Sequence, residues 1–137
     1  MKKYLNVSIL YAIAALIGGV FYREFTKINK YTGVTALGKV HVHLFMLGTI
    51  VFLLVSLFAM QQKLQENKTF RAFMWVYNIG LPITVIMFAI RGITEVLNMN
   101  LYSSASAAIS GMAGIGHILT GTGIILLLVS LKKTADK

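Results

Sequence analysis

Cysteine is absent from the chain, which excludes disulfides and thiolate-bound metals and leaves nitrogen and oxygen as the donors a metal could find. Charge is scarce: 12% of residues are Asp, Glu, Lys or Arg, and four of these are acidic. With 57% hydrophobic residues, that balance rules out an ordinary soluble domain, and 137 residues allow one compact unit. There is a single proline, Pro82, and no repeat, low-complexity tract or second domain. What the chain has in quantity is long apolar sequence. The stretches Leu5–Tyr22, Val40–Met60, Ala72–Ile90 and Ala105–Leu131 carry no Lys, Arg, Asp or Glu. Crossing a hydrocarbon core takes about 20 residues of helix. The expectation is an all-α integral membrane four-helix bundle, one four-span domain over residues 1–137 with helices at about 5–22, 38–60, 71–91 and 105–131.

The first run follows Lys2 and Lys3 as the core of a secretory signal follows its basic segment, but it is too long, and no small-x-small cleavage site precedes Arg23 and Glu24. It reads as a retained span. In a soluble protein the net charge of +9 would point to nucleic acid; here it serves topology, and no nucleic-acid partner is expected. Lys2, Lys3, Lys63, Lys68, Arg71, Lys132, Lys133 and Lys137 fall on one side of a four-span chain, and Arg23, Lys27, Lys30, Lys39 and Arg91 on the other. Eight against five favours cytoplasmic N- and C-termini.

Three histidines lie within these spans: His41 and His43 near the start of the second, His117 in the fourth. Polar side chains are costly at such depth and tend to face a bundle interior or a ligand. Residues two apart on a helix point about 200° away from each other, so His41 and His43 cannot share one metal. Either one is a ligand and the other serves an interface or a hydrogen bond, or each addresses a different cofactor. Helix-end histidines hydrated among headgroups are the bland alternative. His117 has Ala113 and Gly114 one turn before it and Gly121 one turn after, a flat strip of the kind a porphyrin lying on a helix requires. The glycines of this helix, Gly111, Gly114, Gly116, Gly121 and Gly123, equally suit a helix-packing seam. Pro82 has no N–H for the carbonyl of Asn78 and is expected to kink the third helix.

Antiparallel alternation of the spans puts His43 and His117 within about one turn of each other in depth, with His41 less well matched. Arg91, Arg23 and Lys39 close the neighbouring helix ends on that side. Guanidinium binds carboxylate in bidentate, charge-assisted fashion, so Arg91 and Arg23 are candidate partners for heme propionates. Arg91 could instead pair with Glu95 at i+4.

The segment His41-Val42-His43-Leu44-Phe45-Met46-Leu47-Gly48 resembles the helix of heme-copper oxidase subunit I in which one histidine of a His-x-His pair binds the low-spin heme and the other the high-spin heme on the opposite face. The whole chain, with Tyr22-Arg23-Glu24-Phe25-Thr26-Lys27 and Gly114-Ile115-Gly116-His117-Ile118-Leu119, also resembles a family of uncharacterised four-helix bacterial membrane proteins, which implies a multi-pass place in a bacterial cell membrane. The oxidase subunit consists of three quasi-equivalent four-helix arcs, so its likeness implies a homo-oligomer, a trimer in particular, with His41 near the protomer contact. Here the glycine falls one residue closer to the histidines, and there is neither a second histidine pair for copper nor a His-Tyr crosslink motif, so oxygen reduction to water is not implied.

Together these features lead us to expect a heme b protein embedded in lipid, its iron held by His43 and His117 with His41 as a further candidate. Gly114 and Gly121 would flank the porphyrin, and Arg91 and Arg23 would lie near its propionates. A six-coordinate iron leaves no open position for substrate, so electron transfer with a respiratory-chain partner, or heme-based redox or gas sensing, fits better than enzymatic catalysis. Alternatives are a transporter or a membrane protein holding copper or zinc through the three histidines, and an accessory subunit of a respiratory complex.

Overall fold

Inside a hydrocarbon layer the backbone has no water to bond, so a chain of this composition must satisfy its amides within helices. The computed structural model describes residues 1–61 and 63–135, and among these it is all-helical, with no strand. Four helices are long and apolar enough to cross a membrane: α1 (Lys2–Ile28), α2 (Leu37–Met60), α3 (Lys68–Val96) and α4 (Ser103–Ala135). This is the architecture of a multi-pass membrane protein. The second span begins and ends where hydropathy predicts. The others run past their predicted bounds, because apolar runs stop at the first charge whereas helical hydrogen bonding continues into the headgroup zone, where Lys and Arg stems can follow it. At 27 residues, α1 is about 40 Å long.

The helices pack as an open arc in chain order. α1 lies on α2 through small residues, with Gly18 against Val40 and Gly19 against the His41 ring. At the end remote from the termini, α2 meets α3: the Thr35 hydroxyl donates to the Gly92 carbonyl at 3.1 Å, and the Glu95 carboxylate accepts from the Ala36 amide at 2.8 Å. Glu95 therefore secures the start of α2 instead of pairing with Arg91, and it sits where the positive end of that helix favours an anion. α3 and α4 pack together along their length, whereas among the described residues α4 makes no comparable seam with α1 or α2. At the termini end Asn67 caps α3, its side chain accepting from the Thr69 amide at 2.9 Å and donating to the Ser130 carbonyl at 3.3 Å.

α1 and α3 are bridged by side chains reaching across the core. Tyr4 meets Phe70 edge-on at 5.5 Å, Tyr11 stacks on Phe52 at 5.6 Å, and Phe52 in turn packs on Phe73 and Tyr77. Phe52, Phe73 and Tyr77 have no exposed surface, and this aromatic run fills the half of the arc nearest the termini. α2 itself is not uniform. Leu37–His43 is α-helical, Leu44–Ile50 is π-helical, and Val51–Gln61 returns to α. Within the π stretch the Leu47 carbonyl accepts the Tyr77 hydroxyl at 2.8 Å, and buried Gly48 packs so closely on Tyr11 that a side chain there would strike the ring. A seven-residue π-helix is uncommon, and such segments are frequent at functional sites.

Candidate functional site

The π stretch begins directly after His43. His41 and His43 stand on the preceding α-helical turn and face opposite sides of α2, as a period of 3.6 residues requires. His41 turns toward α1, over Gly19 and beside Phe45 at 6.4 Å between ring centres. His43 turns toward α3 and α4, where Phe88 lies 4.8 Å from its ring and His117 6.3 Å. Phe88 also touches the His117 ring at 5.5 Å, so it floors the space between the two imidazoles. The planes of His43 and His117 stand at 88° to each other. Two imidazoles facing each other across a metal, each nitrogen about 2 Å from it, have ring centres roughly 6 Å apart.

The tautomers separate the three histidines. His43 Nδ1 lies 2.9 Å from the Lys39 carbonyl and His117 Nδ1 lies 2.8 Å from the Ala113 carbonyl, each one turn back along its own helix. A carbonyl oxygen can only accept, so both Nδ1 atoms carry the proton and both Nε2 atoms keep a free lone pair. That is the state of a metal-ligating histidine, whose second nitrogen donates to a carbonyl or carboxylate. His41 differs. Its Nδ1 is buried and has no hydrogen-bond partner among the described residues. An orphaned buried N–H is less tolerated than an orphaned acceptor, so the His41 proton belongs on Nε2 and Nδ1 keeps its lone pair, on the side of α2 turned away from His43.

The glycines of α4 divide between the two uses that sequence left open. Gly116 and Gly123 form the packing seam: a Cβ added to Gly123 would lie 2.7 Å from Tyr77, and one on Gly116 would lie 2.8 Å from the Thr84 backbone nitrogen. Gly111, Gly114 and Gly121 have nothing within 4 Å of such an atom. Gly114 and Gly121 flank exposed His117 on a bare strip, as a flat ligand against this helix would need.

Arg91, on α3, reaches across to α4. Its guanidinium donates to the Ser106 hydroxyl and carbonyl, both at 3.0 Å, and to the Ser110 hydroxyl at 2.8 Å. Ser110 is seven residues, about 10 Å, along α4 from His117. Among the described residues Arg91 has no carboxylate in ion-pair range. Arg23 stands apart from this cluster: its side chain is 80% exposed, and its recorded ion pair is with Glu24 at 3.7 Å. The second cation of the cluster is Lys39, whose Nζ lies over the Phe88 ring at 5.6 Å from the centroid. Phe88 carries no distinguishing signal in an apolar run. Lys39 belongs to the ring of helix-end cations read from sequence, and its place four residues before His43 puts it on the same helical face.

Among the described residues no group of three or more His, Cys, Asp or Glu comes together. No curated protein and no solved structure matches the chain. A family does match, across residues 1–134 and so nearly the full length. With its four spans and its paired histidines, the chain belongs to the family described as Protein of unknown function (DUF2871).

Proposed function

We propose that this protein is a b-type heme protein of the membrane that carries electrons, its iron held between His43 and His117. The observation that carries this reading is the pair of histidines on facing helices, 6.3 Å apart between ring centres and each with Nδ1 tied to a backbone carbonyl so that Nε2 is left to bind metal. Backbone bonds of that kind fix the orientation of a ligand ring and raise its basicity. The bare strip at Gly114 and Gly121 gives the macrocycle room along α4, and Phe88 closes its inner edge. Arg91 and Lys39 supply positive charge at the end remote from the termini, suited to propionates. With both histidines as ligands a heme would have no open position for substrate, which favours electron transfer over chemistry at iron. The opposed faces of His41 and His43 and the likeness of this segment to the oxidase helix support the same reading.

The test is a spectrum of protein expressed with heme available. Reduced-minus-oxidised bands of a low-spin b-type heme, one per chain, are expected; colourless protein, or heme that washes off without those bands, overturns the proposal. In the same redox titration Arg91→Ala should shift the midpoint potential negative by roughly tens of millivolts, since loss of a nearby cation disfavours the added electron. The open arc leaves a lateral face for further copies of the chain, and the oxidase likeness makes three the expected number. Native mass spectrometry from mild detergent should return a trimer, and a clean heme-bearing monomer refutes that assembly.

A further inference from the structure

A groove of about 450 Å³ opens between α1 and α3 beside Leu44 of α2. Its walls are apolar, Val7, Leu10 and Ala14 from α1, Leu44 from α2, and Pro82, Val85 and Ile86 from α3, with two polar residues among them, Tyr11 and Asn78. The groove lies within the span, where a polar side chain has no water to bond and is unusual without a purpose.

Hydrogen-bond bookkeeping shows what these two residues still offer. The Tyr11 hydroxyl donates to Asn78 Oδ1 at 2.9 Å, and Asn78 Nδ2 donates to the Met74 carbonyl at 2.8 Å. That uses one of the two hydrogens on Nδ2 and leaves the second to give, while the Tyr11 oxygen keeps lone pairs that can accept. Pro82 lies four residues after Asn78 and has no N–H to return to its carbonyl, which adds another acceptor at the same level of the helix. An acyl chain has no group to meet any of these. A ring bearing oxygens on an apolar tail has: a quinone carbonyl accepts from Nδ2, and a quinol hydroxyl donates to the Tyr11 oxygen or the Asn78 carbonyl.

We infer that the Tyr11–Asn78 groove is the binding site of a membrane quinone, the electron partner of the heme site. This rests on the heme reading for its redox role but not for binding. Leu44, in the groove wall, directly follows His43, and Val85 lies one turn before Phe88, so the groove and the histidine pair draw on α2 and α3 at the same level. One quinol gives up two electrons and two protons to become the quinone. Each ferric heme accepts one electron, so one quinol reduces the hemes of two chains, and the protons pass to the aqueous phase.

The test uses the full-length protein in detergent or nanodiscs and an azido-quinone as photolabel. Label should enter peptides covering residues 7–14 and 78–86, and excess unlabelled quinone should compete it away. Asn78→Leu should weaken labelling by roughly tenfold, the loss of one hydrogen bond at a buried site. Ala14→Phe, which fills the groove from the α1 side and replaces no residue that contacts His43 or His117, should abolish labelling and block reduction of the heme by quinol while leaving dithionite reduction and the heme bands unchanged. Label that scatters over the lipid-facing surface, survives competition or ignores both substitutions overturns the inference and marks the groove as one for lipid chains. Specific labelling of a chain that binds no heme would refute the heme reading and keep this one.

Discussion

His117→Ala protein should insert and purify like the parent and contain no low-spin heme. His117 projects from an exposed face of α4 and bonds only the Ala113 carbonyl of its own helix, so its removal breaks no hydrogen bond between helices and gives up only its edge contact with Phe88. It would take away one of two axial ligands. His43→Ala should have the same spectral outcome, because its ring lies 6.3 Å from that of His117 and its Nδ1 is likewise tied to a backbone carbonyl. His41→Ala should keep the bands and their intensity, since its ring turns to α1, on the opposite face of α2 from His43. His117→Gly leaves an opening beside the bare strip, and millimolar imidazole added to it should restore the low-spin bands. Optical spectra with heme quantified per chain decide between outcomes: full heme in His117→Ala, or heme loss in His41→Ala alone, contradicts the assignment.

Leucine placed on the glycines of α4 should give two opposite results within a few residues of one another. Gly123→Leu and Gly116→Leu should yield aggregated or poorly expressed protein. A Cβ alone would already intrude on Tyr77 or Thr84, and overpacking of this kind typically costs about 1–3 kcal/mol, with more for a branched side chain against backbone. Gly114→Leu and Gly121→Leu should be monodisperse and as stable as the parent, because open space surrounds both positions, yet should fail to hold heme because the leucine would occupy the macrocycle's place. Size-exclusion profiles and thermal melts read the first effect, and heme content reads the second. Leucine at Gly121 with heme fully retained would place the ligand elsewhere.

These contrasts show how far sequence reaches in this chain. The four spans are legible because hydrocarbon thickness fixes the length of an uncharged run, and the opposition of His41 and His43 follows from 100° per residue alone. The pairing of His43 with His117 follows from depth in an antiparallel arrangement. Which of the five α4 glycines form the seam is not legible, because that depends on which face of α4 meets Tyr77 and Thr84 of α3. Glu95 stands one turn from Arg91 in sequence, yet it caps α2 across the fold while Arg91 crosses to α4, and local spacing cannot anticipate either. The Tyr11–Asn78 bond joins residues 67 apart and has no sequence signature. Nor does the π-helical stretch, whose residues are ordinary apolar ones and which packing against Tyr11 and the bond from Tyr77 accompany.

That stretch makes the aim of the histidines a matter of residue count. A π turn holds more residues than an α turn over the same number of revolutions, so Leu44–Ile50 acts as an insertion wound into α2. Removal of a single residue would let the helix close as plain α with little change of facing, because six residues at 100° turn through about the same angle as the seven of this wider winding. Closing all seven as plain α would instead rotate everything before them by about 100° relative to Val51–Gln61, and His43 would swing away from Phe88 and His117 although no histidine had been touched. The site therefore survives the loss of one position between His43 and Val51 if the π winding goes with it, and does not survive the loss of the winding alone.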